Sequence, residues 1–404
     1  KSIPHLEHRH SFNKRKTGIV RKSCELYSKK EMKLPDKTTH RLIDSLTRSN
    51  FSFAIYRLPW TDECYFVMQT SGETECLNDI THLNGKKGFV IAPFKQSDET
   101  PLVIIQPDIV AYDWEEITRS LTALGNKEAI IDNEATSYPS LSTLTEEERY
   151  ERSQKAFERF IAPLQKKALK TLVLSRPAFC PIDDDFSPLA TFVKACNAYP
   201  RMMIYLCHTP ATGTWLGSTP EILLSGQAQN WNSVALAGTM PVSEDIEETP
   251  WSNKNQEEQA IVADYVRNIL KKHSRKTTEK GPYTARAGQL LHLKTDFKFQ
   301  LKGTNFLGDL LKDLHPTPAV CGLPKAEAYE FIHANEGYER RYYTGFIGWL
   351  DPQGNTDIYV NLRCMEIRSN QIKLYAGGGI LASSEVKLEW EETDEKMKTM
   401  KNIL

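Results

Sequence analysis

Paired cysteines are missing from this chain. Its eight cysteines, Cys24, Cys64, Cys76, Cys180, Cys196, Cys207, Cys321 and Cys364, are scattered, with no C-x-x-C and no histidine at zinc-finger spacing. That excludes a disulfide scaffold and a zinc ribbon, and the thiols read as reduced. No apolar run approaches the roughly 20 residues that cross a bilayer, and no charged-apolar-small secretory pattern opens the chain. Both absences predict a cytoplasmic protein with no membrane partner. Internal repeats and low-complexity tracts are lacking too. So is strong net charge, at -1 over 404 residues. With 40% apolar and 25% charged residues, the composition is that of a globular enzyme with two domains or one large α/β unit.

The charge is unevenly spread. Residues 1–50 carry 13 Lys and Arg against 5 Asp and Glu, which leaves an acidic body. No nucleic-acid fold signature follows the cluster from His8-Arg9-His10 to Lys14-Arg15-Lys16, so no nucleic-acid partner is expected. Residues 1–50 read as a basic extension, partly ordered at best.

Residues 51–143 read as sheet-rich, with strands over 51–56, 64–68, 88–92 and 102–105. From 144 the signals turn helical, with Thr145 as a cap. Further helices are expected near 187–197, 252–272, 324–335 and 386–401, and strands over 171–175, 202–207, 221–225, 232–237, 357–367 and 372–376. The polar stretch Lys271 to Lys280 lacks periodicity and reads as a mobile loop. Together these predict an α/β (α+β) fold with largely antiparallel sheets.

Charged residues fall where burial is expected. Glu258 lies three and four residues before Ile261 and Val262, which puts its carboxylate on the apolar face of a helix. A buried carboxylate requires a cation or a raised pKa, and both a buried Arg and a metal satisfy that. Glu385, Glu389, Glu392 and Lys396 share one face of the last helix, either as exposed i, i+4 pairs or as oxygen ligands for a hard ion such as Mg²⁺. Arg363 ends an alternating strand from Ile358, where its guanidinium suits a carboxylate. Gly377-Gly378-Gly379 follow the next strand, as an anion nest or a plain turn. Glu221, after Gly217-Ser-Thr-Pro, stands at the mouth of an apolar strand, where desolvation would keep a general acid protonated.

The segments Val173-Leu-Ser-Arg176, Gly217 to Leu224, Leu236-Ala-Gly-Thr239, Lys254-Asn-Gln-Glu-Glu258, Leu314 to Gly322, Arg340 to Gly345, Tyr375 to Ile380 and Glu389-Trp-Glu-Glu-Thr393 resemble, in order, the motifs of the chorismate-utilising enzymes. The resemblance is close over residues 145–404 and looser before them. It implies two packed, largely antiparallel β-sheets under outer helices, with residues 144–404 as the chorismate-binding catalytic region. It also implies a Mg²⁺ site at Glu258 and Glu392 with Glu389 close by, and Glu221 as general acid. Thr239, His292, Tyr343, Arg363, Gly378, Gly379 and Lys396 fall at its substrate-binding positions. Within the family, the segment around Ala319 is similar to members that form isochorismate by adding water at C2 of chorismate. Salicylate-, anthranilate- and aminodeoxychorismate-forming members, and a catalytically silent chorismate-binding homologue, are the alternatives. A monomer without a glutaminase subunit is expected. One departure stands out: where water-using members resemble Lys-Val-Val-Leu-Ser-Arg, this chain has Thr171, with Lys170 adjacent. Adjacent strand residues face opposite ways, so Lys170 can substitute only through a local irregularity.

Overall fold

The structure, a computed structural model, describes residues 31–124, 144–242 and 250–404. The first elements are α1 (Lys37–Leu46), β1 (Ser52–Arg57), β2 (Tyr65–Gln69), β3 (Glu75–Leu77), β4 (Gly88–Ala92), β5 (Leu102–Ile105), β6 (Ile109–Ala111) and α2 (Trp114–Ala123). Next come α3 (Glu146–Gln165), β7 (Thr171–Pro181), α4 (Pro188–Ala198), β8 (Met203–Thr209), β9 (Gly213–Thr219), β10 (Ile222–Gln227) and β11 (Asn230–Pro241). They are followed by α5 (Asn253–His273), β12 (Ser274–Ala287), β13 (Leu290–Leu301), α6 (Leu307–Leu314), β14 (Gly322–Leu323) and α7 (Lys325–Asn335). The last are β15 (Phe346–Leu350), β16 (Thr356–Val360), β17 (Cys364–Ile367), β18 (Gln371–Ile380) and α8 (Val386–Lys401).

Local chemistry sets the helix starts. Thr145 and Glu148 close a capping box on α3, Ser187 caps α4 with Pro188 in its first turn, and the Ser252 hydroxyl accepts from Asn255 N to cap α5.

The strands form two nine-stranded antiparallel sheets. One runs β14-β7-β18-β17-β9-β8-β1-β2-β6 and the other β12-β13-β11-β10-β16-β15-β4-β5-β3. Strands from residues 51–111 therefore complete both sheets. Aromatic residues fill the space between the sheets, among them Tyr56, Phe89, Tyr205, Trp215, Tyr342, Tyr359 and Tyr375. Outside the first sheet lie Ile43, Phe192 and Met397 from α1, α4 and α8; outside the second lie Val266 and Leu310 from α5 and α6. Strands such as β1 are thus buried on both faces, so they read as continuous apolar runs.

Four expectations need correction. Residues from Met32 onward belong with the body: Ile43 and Leu46 of α1 are buried in its core, so the packing does not break at residue 50. The cluster from His8 to Lys16 lies outside the described residues. Lys271 to Lys280 is no loop, because α5 runs to His273 and β12 follows directly. As an edge strand, β12 pairs only with β13 and turns Arg275, Lys276, Glu279 and Lys280 to solvent, which removes the apolar alternation. The strand expected over 357–367 breaks at 361–363 between β16 and β17. Gly377, Gly378 and Gly379 lie inside β18, paired with Ser175, Leu174 and Val173 of β7, and form neither a nest nor a turn.

Candidate active site

Two strand breaks bring the chemistry together. Between β9 and β10 the chain passes from the first sheet to the second at Pro220-Glu221, and between β16 and β17 it passes back at 361–363. These crossovers run side by side: Val360 N donates to Glu221 O at 2.9 Å, and Ser218 N donates to Arg363 O at 2.9 Å. Arg363 adopts φ 47°, a left-handed conformation that redirects the strand. Its side chain therefore enters the seam between the sheets and does not stand on a strand face.

The seam opens into a cavity of about 820 Å³ of non-atom space, a figure that includes its open mouth. Glu221, Thr239, Glu258, His292, Tyr343, Arg363, Gly379, Glu392 and Lys396 all line it. Gly378 and Glu389 adjoin a smaller cavity beside Trp390.

Glu221 is 2% exposed. Burial pushes its carboxyl up to about 8, against the pull of Lys396 and Arg363, so the carboxyl holds a proton at neutral pH. Arg363 is lowered by burial to about 10 and remains a cation. Its Nη1 donates to Thr399 Oγ1 at 3.2 Å and its Nη2 reaches His292 Nε2 at 3.0 Å. His292 Nδ1 lies 2.9 Å from Gly238 O. A carbonyl only accepts and a guanidinium only donates, so Nδ1 carries the proton and Nε2 accepts. Burial and the nearby Arg363 and Lys396 hold this imidazole neutral, well below its ordinary pKa. The β11 bulge at Gly238, with φ 70°, turns that carbonyl to His292.

The carboxylates converge from two helices. Lys254 Nζ stands 3.0 Å from Glu258 Oε1 and 2.8 Å from Glu389 Oε1, while Lys396 Nζ binds Glu392 Oε1 at 2.6 Å and Gly377 O at 2.9 Å. Burial raises Glu258 to about 7 despite Lys254, and raises Glu389. Burial acts on Glu392 in the same direction, but Lys396 and Lys254 outweigh it and hold that carboxyl below its ordinary value. Glycines make room for these groups. A Cβ on Gly379 would lie 3.0 Å from Glu258 Oε1, and one on Gly378 would lie 3.2 Å from Glu392 Oε1 and 3.3 Å from Glu389 Oε2. Lys254 escaped the sequence reading as a site residue; its i, i+4 spacing to Glu258 was the available signal. Glu385 stands apart, as the N-cap residue of α8.

Thr171, on β7 beside the glycines of β18, lines the cavity, and Lys170 is exposed. The β7–β18 ladder is unbroken from Leu172 to Pro181, and Lys170 N is held by Leu323 O at 2.8 Å. The irregularity that would bring Lys170 inward is absent. Tyr343 stacks on Tyr375, with ring centroids 5.2 Å apart and planes at 12°. Neither Tyr375 nor Thr344, which also line the cavity, was singled out from the sequence.

Among proteins of known activity, the chain is 36% identical over 194 residues to the vibriobactin-specific isochorismate synthase of Vibrio cholerae, covering 46% of this chain and 49% of that one. It is 32% identical over 209 residues to the isochorismate synthase EntC of Escherichia coli, covering 49% and 54%. The matched part thus spans about half the length of these curated relatives. Among solved structures, DhbC from Bacillus anthracis superposes with TM-score 0.72 at 25% identity, covering 90% of this chain and 98% of the other. MenF, the menaquinone-specific isochorismate synthase of Escherichia coli, shares the fold at TM-score 0.73 and 18% identity, covering 92% of each chain. Residues 81–404 match the family described as chorismate binding enzyme, and the chain belongs to that family.

Proposed function

We propose that this chain converts chorismate to isochorismate. The observation that carries the reading is a buried Glu221, its carboxyl raised by burial, sharing one cavity with two basic side chains, Arg363 and Lys396, that suit a substrate with two carboxylates. Water forms a bond at C2, the ring double bonds shift, and the C4–O bond breaks as Glu221 protonates the departing hydroxyl. The proton shed by the entering water balances the one Glu221 gives up. Arg363, Tyr343 and Lys396 hold the carboxylates; His292, neutral and engaged on both nitrogens, orients Arg363. The names of the relatives agree with this reading.

The reading includes Mg²⁺. As they stand, no three or more acidic, His or Cys side chains among the described residues are spaced to enclose a metal, and Lys254 sits between Glu258 and Glu389. The chemistry nevertheless fits a hard cation: Glu389 Oε2 is buried and lacks a hydrogen bond, and Glu258 Oε1 is met by the Lys254 ammonium at 3.0 Å, a positive charge where the ion would stand. Glu258 and Glu392, with Glu389 beside them, would hold the ion, which would neutralise a substrate carboxylate. We place the enzyme in the cytoplasm, as a monomer without a glutaminase subunit.

The exposed Lys170 and the occupied His292 favour one second reading, a chorismate-binding protein with little turnover. Incubating the purified protein with chorismate and Mg²⁺ and separating the products by chromatography tests both. Isochorismate supports the first reading, unchanged chorismate supports the second, and salicylate or an amino product overturns both.

A further inference from the structure

Asn361 stands two residues before Arg363, in the crossover, and hydrogen-bonds to two other segments. Its backbone N donates to Gly345 O at 2.8 Å, and its carbonyl accepts from Thr344 N at 2.8 Å. Its Nδ2 donates to Tyr342 O at 2.8 Å, and its Oδ1 accepts from Tyr205 OH at 2.5 Å. Tyr205 belongs to β8 of the first sheet, and Tyr342 to Gly345 lead into β15 of the second. One amide therefore ties both sheets to the crossover. Asn361 is 1% exposed and Tyr205 0%, and neither lines the cavity.

The residues on either side do line it: Tyr343 and Thr344 on one segment, Leu362 and Arg363 on the other. Thr344 and Arg363 have φ of 62° and 47°, a conformation that side-chain-bearing residues keep only where their surroundings over-determine it. The chemistry of the tie is specific. A carbonyl must be met by a donor and a phenol by an acceptor, which an amide supplies together and a carboxylate or an alkyl group does not. The fold also makes room for it, since a Cβ on Gly217 would lie 2.5 Å from the Tyr205 ring.

We infer that Asn361, anchored by Tyr205, is a positioning residue that holds Arg363 and Tyr343 in place for a dicarboxylate. The inference rests on the reading that this cavity takes chorismate. It is tested by calorimetry of chorismate binding to Glu221→Gln protein, in which turnover is stopped. Tyr205→Phe removes one hydroxyl and keeps the ring, so its fold survives even if Asn361→Ala unfolds. Tyr205→Phe should weaken chorismate about tenfold, and Asn361→Ala at least as much. When Arg363→Lys is also present, Tyr205→Phe should cost clearly less, because one of the two groups it positions is already lost. A merely structural role predicts equal losses in both backgrounds. That result, or unchanged affinity in Tyr205→Phe, overturns the inference. Failure of the parent protein to bind chorismate overturns the chorismate reading and the inference with it.

Discussion

Arg363 Nη2 donates to His292 Nε2 across 3.0 Å, while His292 Nδ1 donates to Gly238 O. The pair settles what each residue is available to do. His292 has no open lone pair for a proton, and one arm of Arg363 is already spent inside the wall. His292→Phe would bury that arm without an acceptor, at about 1–3 kcal/mol. The expected loss in kcat/KM is about tenfold or more. His292→Gln restores an acceptor and should recover part of it, so equal losses in the two variants, measured by steady-state assay, would assign His292 another role.

Glu221 predicts the alkaline limb of the pH profile. Catalysis requires the protonated acid, and burial raises its pKa to about 8. The active form is therefore present below that value and lost as pH rises through it. Turnover should fall above about pH 8. Glu221→Gln should bind chorismate and lose at least about 10²-fold in kcat. A profile that stays flat to pH 9.5, or a variant near wild-type rate, would place the proton donor elsewhere.

The carboxylates over Gly378 and Gly379 make a metal prediction with a structural arm. Glu258→Gln and Glu392→Gln should abolish turnover, as should EDTA. Gly379→Ala puts a methyl group 3.0 Å from Glu258 Oε1 while leaving every β7–β18 hydrogen bond possible. Its half-saturating Mg²⁺ concentration should rise about tenfold or more, with little change in Tm. Full activity in EDTA would remove the metal assignment.

Much of this site was legible because its signals are local. The bounds of α5 and α8 follow from the Ser252 cap and from apolar spacing, and Glu258 on an apolar face identified itself as a charge that needs a partner. The crossover at Arg363 was not legible. Val360, Leu362 and Cys364 continue an apolar alternation through it, and the break is imposed by strands from two different sheets. Lys254 was half legible: Glu258 is one helical turn away, but its other partner, Glu389, is remote in sequence.

Thr171 carries the last prediction. Entry of water at C2 needs a base or a strongly polarised water, and a Thr hydroxyl can orient water but has no useful basicity near neutral pH. Thr171 lines the cavity, where its Oγ1 donates to Ile380 O at 3.4 Å, while Lys170 is exposed beside an unbroken ladder. Lys170→Ala should therefore leave the rate unchanged. The wild-type rate should be low, and Thr171→Lys, which sets an amine on the inward face of the same strand, should raise it. Product formation by chromatography separates the cases. A large loss in Lys170→Ala would mean that the strand rearranges when substrate binds. A fast wild-type enzyme that Thr171→Lys fails to improve would mean that a group other than the wall residues named here takes the proton from water.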